Sequence, residues 1–115
     1  MDRVKKMVHY WCDDIKKAGL TGKGVTVAVL DTGLAPHPDF KSRVIGWRDC
    51  IYRKEKCYDD NGHGTHVAGI LGGSGQMSGG ILSGIAPLCR LVIVKVLDQK
   101  GEANVASILA GLKWV

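Results

Sequence analysis

Apolar residues recur at Val4, Met7, Val8, Trp11 and Ile15, three and four positions apart with lysines opposite, and Gly19 follows. That spacing predicts an amphipathic helix closed at the glycine. Thr21 to Gly24 reads as a turn. The run Val25-Thr26-Val27-Ala28-Val29-Leu30 is β-branched and nearly all apolar, with Gly24 before it and Gly33 after it. Such a run predicts a strand buried on both faces, as in a parallel sheet. Leu91 to Leu97 is a second run of this kind, and Val44 to Trp47 a shorter one. His63 to Leu71 carries Val67, Ala68, Ile70 and Leu71, with Asp60 and Asn61 ahead of it as capping types, which predicts a short buried helix. From Ala103 to Val115 the apolar positions 105, 108, 109, 112 and 115 predict a helix with one buried stripe. Alternating strand and helix predict an α/β fold, a parallel β-sheet with flanking helices.

A chain of 115 residues is one domain or a piece of one. Hydrophobic residues at 45% and charged residues at 23% exclude a disordered tail, and no run approaches the roughly 18 apolar residues of a membrane span. Sixteen basic against eleven acidic residues leave +5, but the excess is spread thinly over the start and over Arg53, Lys54 and Lys56. A nucleic-acid partner needs such charges gathered on one face, so neither nucleic acid nor membrane is expected. Met1 is followed by Asp2-Arg3-Val4-Lys5-Lys6 and not by a charged segment and an apolar one. A cytoplasmic location follows as the expectation, and with it free thiols at Cys12, Cys50, Cys57 and Cys89, although Cys50 and Cys57 flank one loop. No Cys-x-x-Cys pair suggests zinc. Glycine changes the picture most: nine of sixteen lie between Gly62 and Gly84, threaded with apolar residues. The backbone there turns sharply and packs closely.

Ligands of open parallel sheets sit at the carboxyl ends of the strands, where Asp31-Thr32-Gly33 falls. Gly33 lets the chain turn away at once and leaves the carboxylate at the rim; Asp31 capping that turn is the plain alternative. In Asn61-Gly62-His63-Gly64-Thr65-His66-Val67-Ala68-Gly69, two glycines bracket a histidine at a helix start, where the ring can serve as a general base. A structural histidine, or a metal pair of His63 and His66, are the other readings of the same residues.

Together the two segments, Asp before His and 32 positions apart, resemble the subtilisin-like serine peptidases. Gly24 to Gly33 resembles that family's Asp segment, His37-Pro38-Asp39-Phe40 the sequence after it, and Asn61 to Gly69 its His segment. Gly84-Ile85-Ala86-Pro87 and Val94-Lys95-Val96-Leu97 resemble the stretch leading to its substrate groove. The resemblance implies that Asp31 fixes the tautomer of His63, that His63 takes a proton from a serine, and that His66 is structural. It also implies a groove wall at Val96, Leu97 and Gly101 for a polypeptide substrate. No cofactor is required; Asp39 matches a position that binds calcium in some members, although the loop Gly72 to Gly80 lacks an asparagine used there.

The family's nucleophile stands in a Gly-Thr-Ser-Met-Ala type motif, and Ser42, Ser74, Ser78, Ser83 and Ser107 have no such context. Residues 1–115 are therefore expected to form the N-terminal part of one catalytic domain, with 1–20 as helix and lead-in and 21–115 as the sheet and helices. The remainder of that domain is the expected partner, and the piece alone is expected to be inactive. Two rival readings stand beside this one. One is a non-catalytic remnant or interaction module with the same half-fold. The other is a homodimeric aspartic peptidase using Leu30-Asp31-Thr32-Gly33, which needs a nearly all-β fold.

Overall fold

The computed structural model describes residues 2–8 and 18–115. The chain runs α1 (Asp2–Met7), β1 (Thr26–Asp31), β2 (Val44–Asp49), α2 (His63–Gly72), β3 (Arg90–Lys95) and α3 (Val105–Trp114), with 3₁₀ turns at Pro38–Phe40 and Gln76–Ser78. The strands form one parallel sheet in the order β1-β3-β2. β3 lies in the middle with Val27 opposite Leu91, Val29 opposite Ile93 and Asp31 opposite Lys95. This is the α/β architecture that the alternating elements predict, and it does not fit the nearly all-β fold an aspartic peptidase requires.

One sheet face carries the core. Val29, Leu91 and Ile93 pack with Leu34, Phe40, Ala68 and Cys89, all buried, and α2 covers them. Burying a side chain of this size contributes roughly 1.5–3 kcal/mol, so this face holds the strands to the helix. Gly72 allows close approach here, since a Cβ on it would lie 2.9 Å from the Cys89 sulfur.

On the opposite face α3 touches the sheet through Gly111. A Cβ there would come within 2.6 Å of Val96 and 3.1 Å of Val94. The stripe expected to be buried is outside: Val105, Ile108, Leu109, Leu112 and Val115 are all exposed. β1 likewise departs from the expectation of burial on both faces, because Thr26 and Ala28 are exposed. It is an edge strand in this sheet, and α3 reaches only its end, at Leu30.

At the start of the chain the expected face is reversed. Met7 and Val8 are exposed, whereas Lys5 is buried and its ammonium donates to the Ser83 hydroxyl at 3.5 Å. The expected helical positions Trp11 and Ile15 lie outside the described residues.

Candidate active site

Asp31 ends β1, and its carboxylate Oδ1 accepts the Thr32 N–H at 2.7 Å. The chain then turns at Gly33, whose φ of +126° and close approach admit no side chain: a Cβ would lie 2.0 Å from the Tyr58 carbonyl oxygen. The Leu34 N–H donates to that carbonyl, and Gly33 bridges Asp59 in antiparallel fashion. The segment ahead of α2 is thereby sewn to the end of β1.

His63 is the first residue of α2. Its N–H donates to the Asn61 side-chain oxygen at 3.0 Å, and the preceding Gly62 takes φ +104°. Of the two residues that the sequence marks for the helix cap, Asn61 serves the first helical N–H through its side chain from just ahead of the cap position. Gly62 holds that position, and the Asp59 carboxylate accepts the N–H groups of Gly62 and Thr65 from further back. The His63 ring Nδ1 lies 2.9 Å from Asp31 Oδ1 and 3.0 Å from Oδ2. Asp31 is 13% exposed at its side chain and His63 62%, so the carboxylate is largely covered while most of the ring is open to solvent. Among the described residues no serine hydroxyl is bonded to that ring.

Two groups that the sequence did not single out brace this pair. Thr32 is fully buried; its hydroxyl accepts the Gly64 N–H at 2.8 Å and donates to Asp59 Oδ1 at 2.8 Å. Asp59 further accepts the Asn61 N–H and the hydroxyl of Thr65. Burial pushes the Asp59 carboxyl up, but the Thr65 hydroxyl and the N–H groups of Gly62, Thr65 and Asn61 outweigh it and hold the group well below the ordinary carboxylate range. The signal lay in the letters: Asp59 precedes the helix start, and Thr32 and Thr65 flank the two candidate residues. Only the fold shows that they meet.

The other sequence candidates are placed as follows. His66 is exposed one turn along α2 and borders an open hollow of about 520 Å³ shared with His37, Phe40, Ile70 and Leu82. It has no metal-ligating company with His63: among the described residues no three His, Cys, Asp or Glu side chains gather to hold an ion. Asp39 Oδ1 accepts the Met77 N–H at 3.0 Å, and the Asp39 carbonyl takes both the Ser74 N–H and an Arg43 guanidinium N–H. Calcium takes six to eight oxygens; among the described residues no group of three or more His, Cys, Asp or Glu gathers round Asp39. Val96 and Leu97 both donate their N–H groups to the Asp31 carbonyl, at 2.9 and 3.2 Å. Val96 is 3% exposed, and its methyl group would lie 2.6 Å from a Cβ on Gly111. Gly101 is exposed in a turn closed onto Asp98, and the neighbouring Gln99 carbonyl accepts from the Asn61 amide at 2.9 Å, which brings this turn beside the His63 segment. Cys50, Cys57 and Cys89 are free thiols, as expected; Cys12 lies outside the described residues.

The Subtilase family model matches residues 22–115. The chain is 53% identical over 95 residues to Serine protease AprX of Bacillus subtilis, which covers 83% of this chain and 22% of that protein. It is 48% identical over 96 residues to Subtilisin Savinase of Lederbergia lenta, covering 84% of this chain and 34% of that one. Among solved structures, a cold adapted subtilisin-like serine proteinase aligns with a TM-score of 0.72 at 36% identity, over 84% of this chain and 33% of its own. The chain thus spans about a third or less of the length of these relatives. With the Asp and His segments inside the matched residues and the parallel sheet in common, the chain belongs to the subtilase family.

Proposed function

We propose that this chain supplies the acid–base half of a serine endopeptidase centre, with His63 as general base and Asp31 as the group that orients it. The observation that carries this reading is the contact of Nδ1 with both oxygens of Asp31, at 2.9 and 3.0 Å, in a histidine whose side chain is mostly exposed. A carboxylate so placed keeps the Nδ1 proton toward itself and leaves Nε2 as the basic nitrogen. In the proposed reaction a serine hydroxyl from outside residues 1–115 attacks the peptide carbonyl as Nε2 takes its proton. That proton then passes to the leaving amine, and water hydrolyses the acyl-enzyme through the same base. Asp31 stays ionised throughout and stabilises the imidazolium.

The substrate is an extended polypeptide, and the turn 98–102 beside Asn61 is the proposed wall for it. The exposed stripe of α3 and the open edge of β1 are the proposed seat of the rest of the domain, the partner that brings nucleophile and oxyanion donors. Alone, residues 1–115 are inactive in this reading, since loss of the nucleophile from such a triad costs about 10⁶ in turnover.

A fluorophosphonate probe and casein hydrolysis test the proposal. The complete domain is expected to label and to cleave, Asp31→Asn and His63→Ala are expected to lose about 10⁴-fold or more, and the isolated 115-residue chain to do neither. Cleavage by the isolated chain with label on one of its five serines would overturn the reading, as would full activity of His63→Ala.

A further inference from the structure

Among the described residues Lys95 is the largest of the fully buried side chains, with a relative exposure of 0%. A lysine at that depth is costly unless its charge is paired and its N–H groups are used. Here the ammonium donates to the Thr32 carbonyl at 2.7 Å and to Asp60 Oδ1 at 2.6 Å, and it lies 5.3 Å from the centre of the Tyr58 ring. Two acceptors and a ring face occupy the surroundings of a three-donor group. The sheet core did not need this: the neighbouring inward residues of β3 are Leu91 and Ile93.

What the ammonium joins is informative. Lys95 stands opposite Asp31 in the sheet register. Thr32 follows Asp31 directly; its N–H holds the Asp31 carboxylate and its hydroxyl holds Gly64, next to His63. Asp60 is three residues ahead of His63, in the segment whose Asn61 and Gly62 set the start of α2. One buried cation therefore reaches 63 residues back to the Asp31 side and 35 residues back to the His63 side. Asp60 is 28% exposed at its side chain and free to turn to water, so the pair is held from the lysine end.

We infer that Lys95 is a positioning residue for the Asp31–His63 pair, spanning the end of β1 and the approach to α2 and fixing their separation. This rests on the reading of Asp31 and His63 given above. Lys95 touches neither substrate nor reacting atoms; it acts through Thr32 and Asp60. Its removal frees the Thr32 carbonyl and the Asp60 loop together, and a misplacement near 1 Å at such a centre costs about a hundredfold in rate.

The test uses the complete domain and a chromogenic peptide. Lys95→Met is expected to lower kcat about ten- to a hundredfold and leave KM within roughly twofold, because peptide binding does not pass through this bridge. Asp60→Ala removes one arm at an exposed position and is the second probe should Lys95→Met fail to fold. It is expected to lower kcat at least about threefold, whereas Asp60→Asn, which keeps an oxygen for the ammonium, recovers most of that loss. Circular dichroism melts confirm that each variant is folded at the assay temperature. Wild-type kcat in folded Lys95→Met overturns the inference, and so does an Asp60→Ala variant no slower than Asp60→Asn. Full activity of His63→Ala in the same assay defeats the underlying functional reading instead, so the two failures are told apart.

Discussion

Gly64 offers the most direct test of how the two candidate residues are held. It is the second residue of α2, and a Cβ there would lie 2.4 Å from the Gly33 carbonyl oxygen, 2.9 Å from the Gly33 nitrogen and 3.0 Å from the Thr32 hydroxyl. The first two are backbone atoms pinned by the bridge of Gly33 to Asp59, so they have no rotamer to yield. Bringing the nearest contact out to 3.0 Å needs about 0.6 Å of separation between the helix start and the end of β1. That motion runs across the seam that carries the Asp31–His63 contact. It stretches the Nδ1···Oδ1 distance from 2.9 Å toward about 3.5 Å, where hydrogen bonding weakens steeply. Helix propensity pulls the other way, favouring alanine over glycine by about 1 kcal/mol in a helix interior. Gly69 in the same helix separates the two effects, because a Cβ on it meets nothing within 4 Å. In the complete domain Gly64→Ala is expected to destabilise by about 1–3 kcal/mol and to lose about 10- to 100-fold in kcat/KM. Gly69→Ala is expected to stabilise by about 0.5–1 kcal/mol with unchanged kinetics. Urea unfolding and peptide hydrolysis read both. A Gly64→Ala enzyme as stable and as fast as Gly69→Ala would refute the claim that backbone contact at this seam sets the geometry.

Thr32→Val, which keeps the shape and removes the hydroxyl, is expected to cost about 1–3 kcal/mol because the Gly64 N–H loses its buried acceptor, while Thr32→Ser keeps most of the stability; chemical denaturation of both decides it. The depressed carboxyls of Asp59 and Asp49 contribute stability above the ordinary carboxylate range that is lost as pH falls through their lower folded values. Unfolding free energy should therefore fall steadily below about pH 4, and Asp59→Asn should flatten that slope; a curve level from pH 5 to 2 would contradict it. Burial pushes the Cys57 thiol up to about 11, so its alkylation in the native protein should stay slow at pH 8 and climb as pH nears that value, in contrast to the unfolded chain. Because the Asp39 carboxylate holds the Met77 N–H, chelation by EDTA should leave the melting temperature of the 74–83 loop region and of the domain unchanged; a drop reversed by calcium would show that the loop rearranges around the ion.

The sequence made the strands, both later helices and the two central residues legible for the same reason: each is specified by local chemistry. β-Branched runs make strands wherever they lie, and Asp31-Thr32-Gly33 and Gly62-His63-Gly64 announce a turn and a helix start. What stayed hidden depends on neighbours distant in the chain. A lysine inside Leu91-Val92-Ile93-Val94-Lys95-Val96-Leu97 reads as the end of an apolar run, and nothing local says that its ammonium crosses beneath the sheet to Thr32 and Asp60. Asp60 and Asn61 carry the letters of a helix cap, yet only Asn61 takes a helical N–H, and Asp59 takes those of Gly62 and Thr65 from further out while its carboxylate also meets Thr32 across the seam. The apolar stripe of α3 was visible as a stripe; its periodicity marks a face to be covered and is silent on what covers it.

These two kinds of interaction divide the molecule by function. The links between 31–34, 58–65 and 95 close among themselves: Thr32 to Gly64 and Asp59, Leu34 to Tyr58, Ala35 to Thr65, Lys95 to Thr32 and Asp60. The contact of Asp31 with His63 is thus fixed from within the first part of the domain, by short bonds to buried or half-buried backbone. The apolar stripe of α3 and the edge of β1, by contrast, are open. On the function proposed above, rigid internal bracing for the pair, with non-directional apolar surface for the partner, would let the rest of a domain dock with tolerance in its packing without disturbing the 2.9 Å contact.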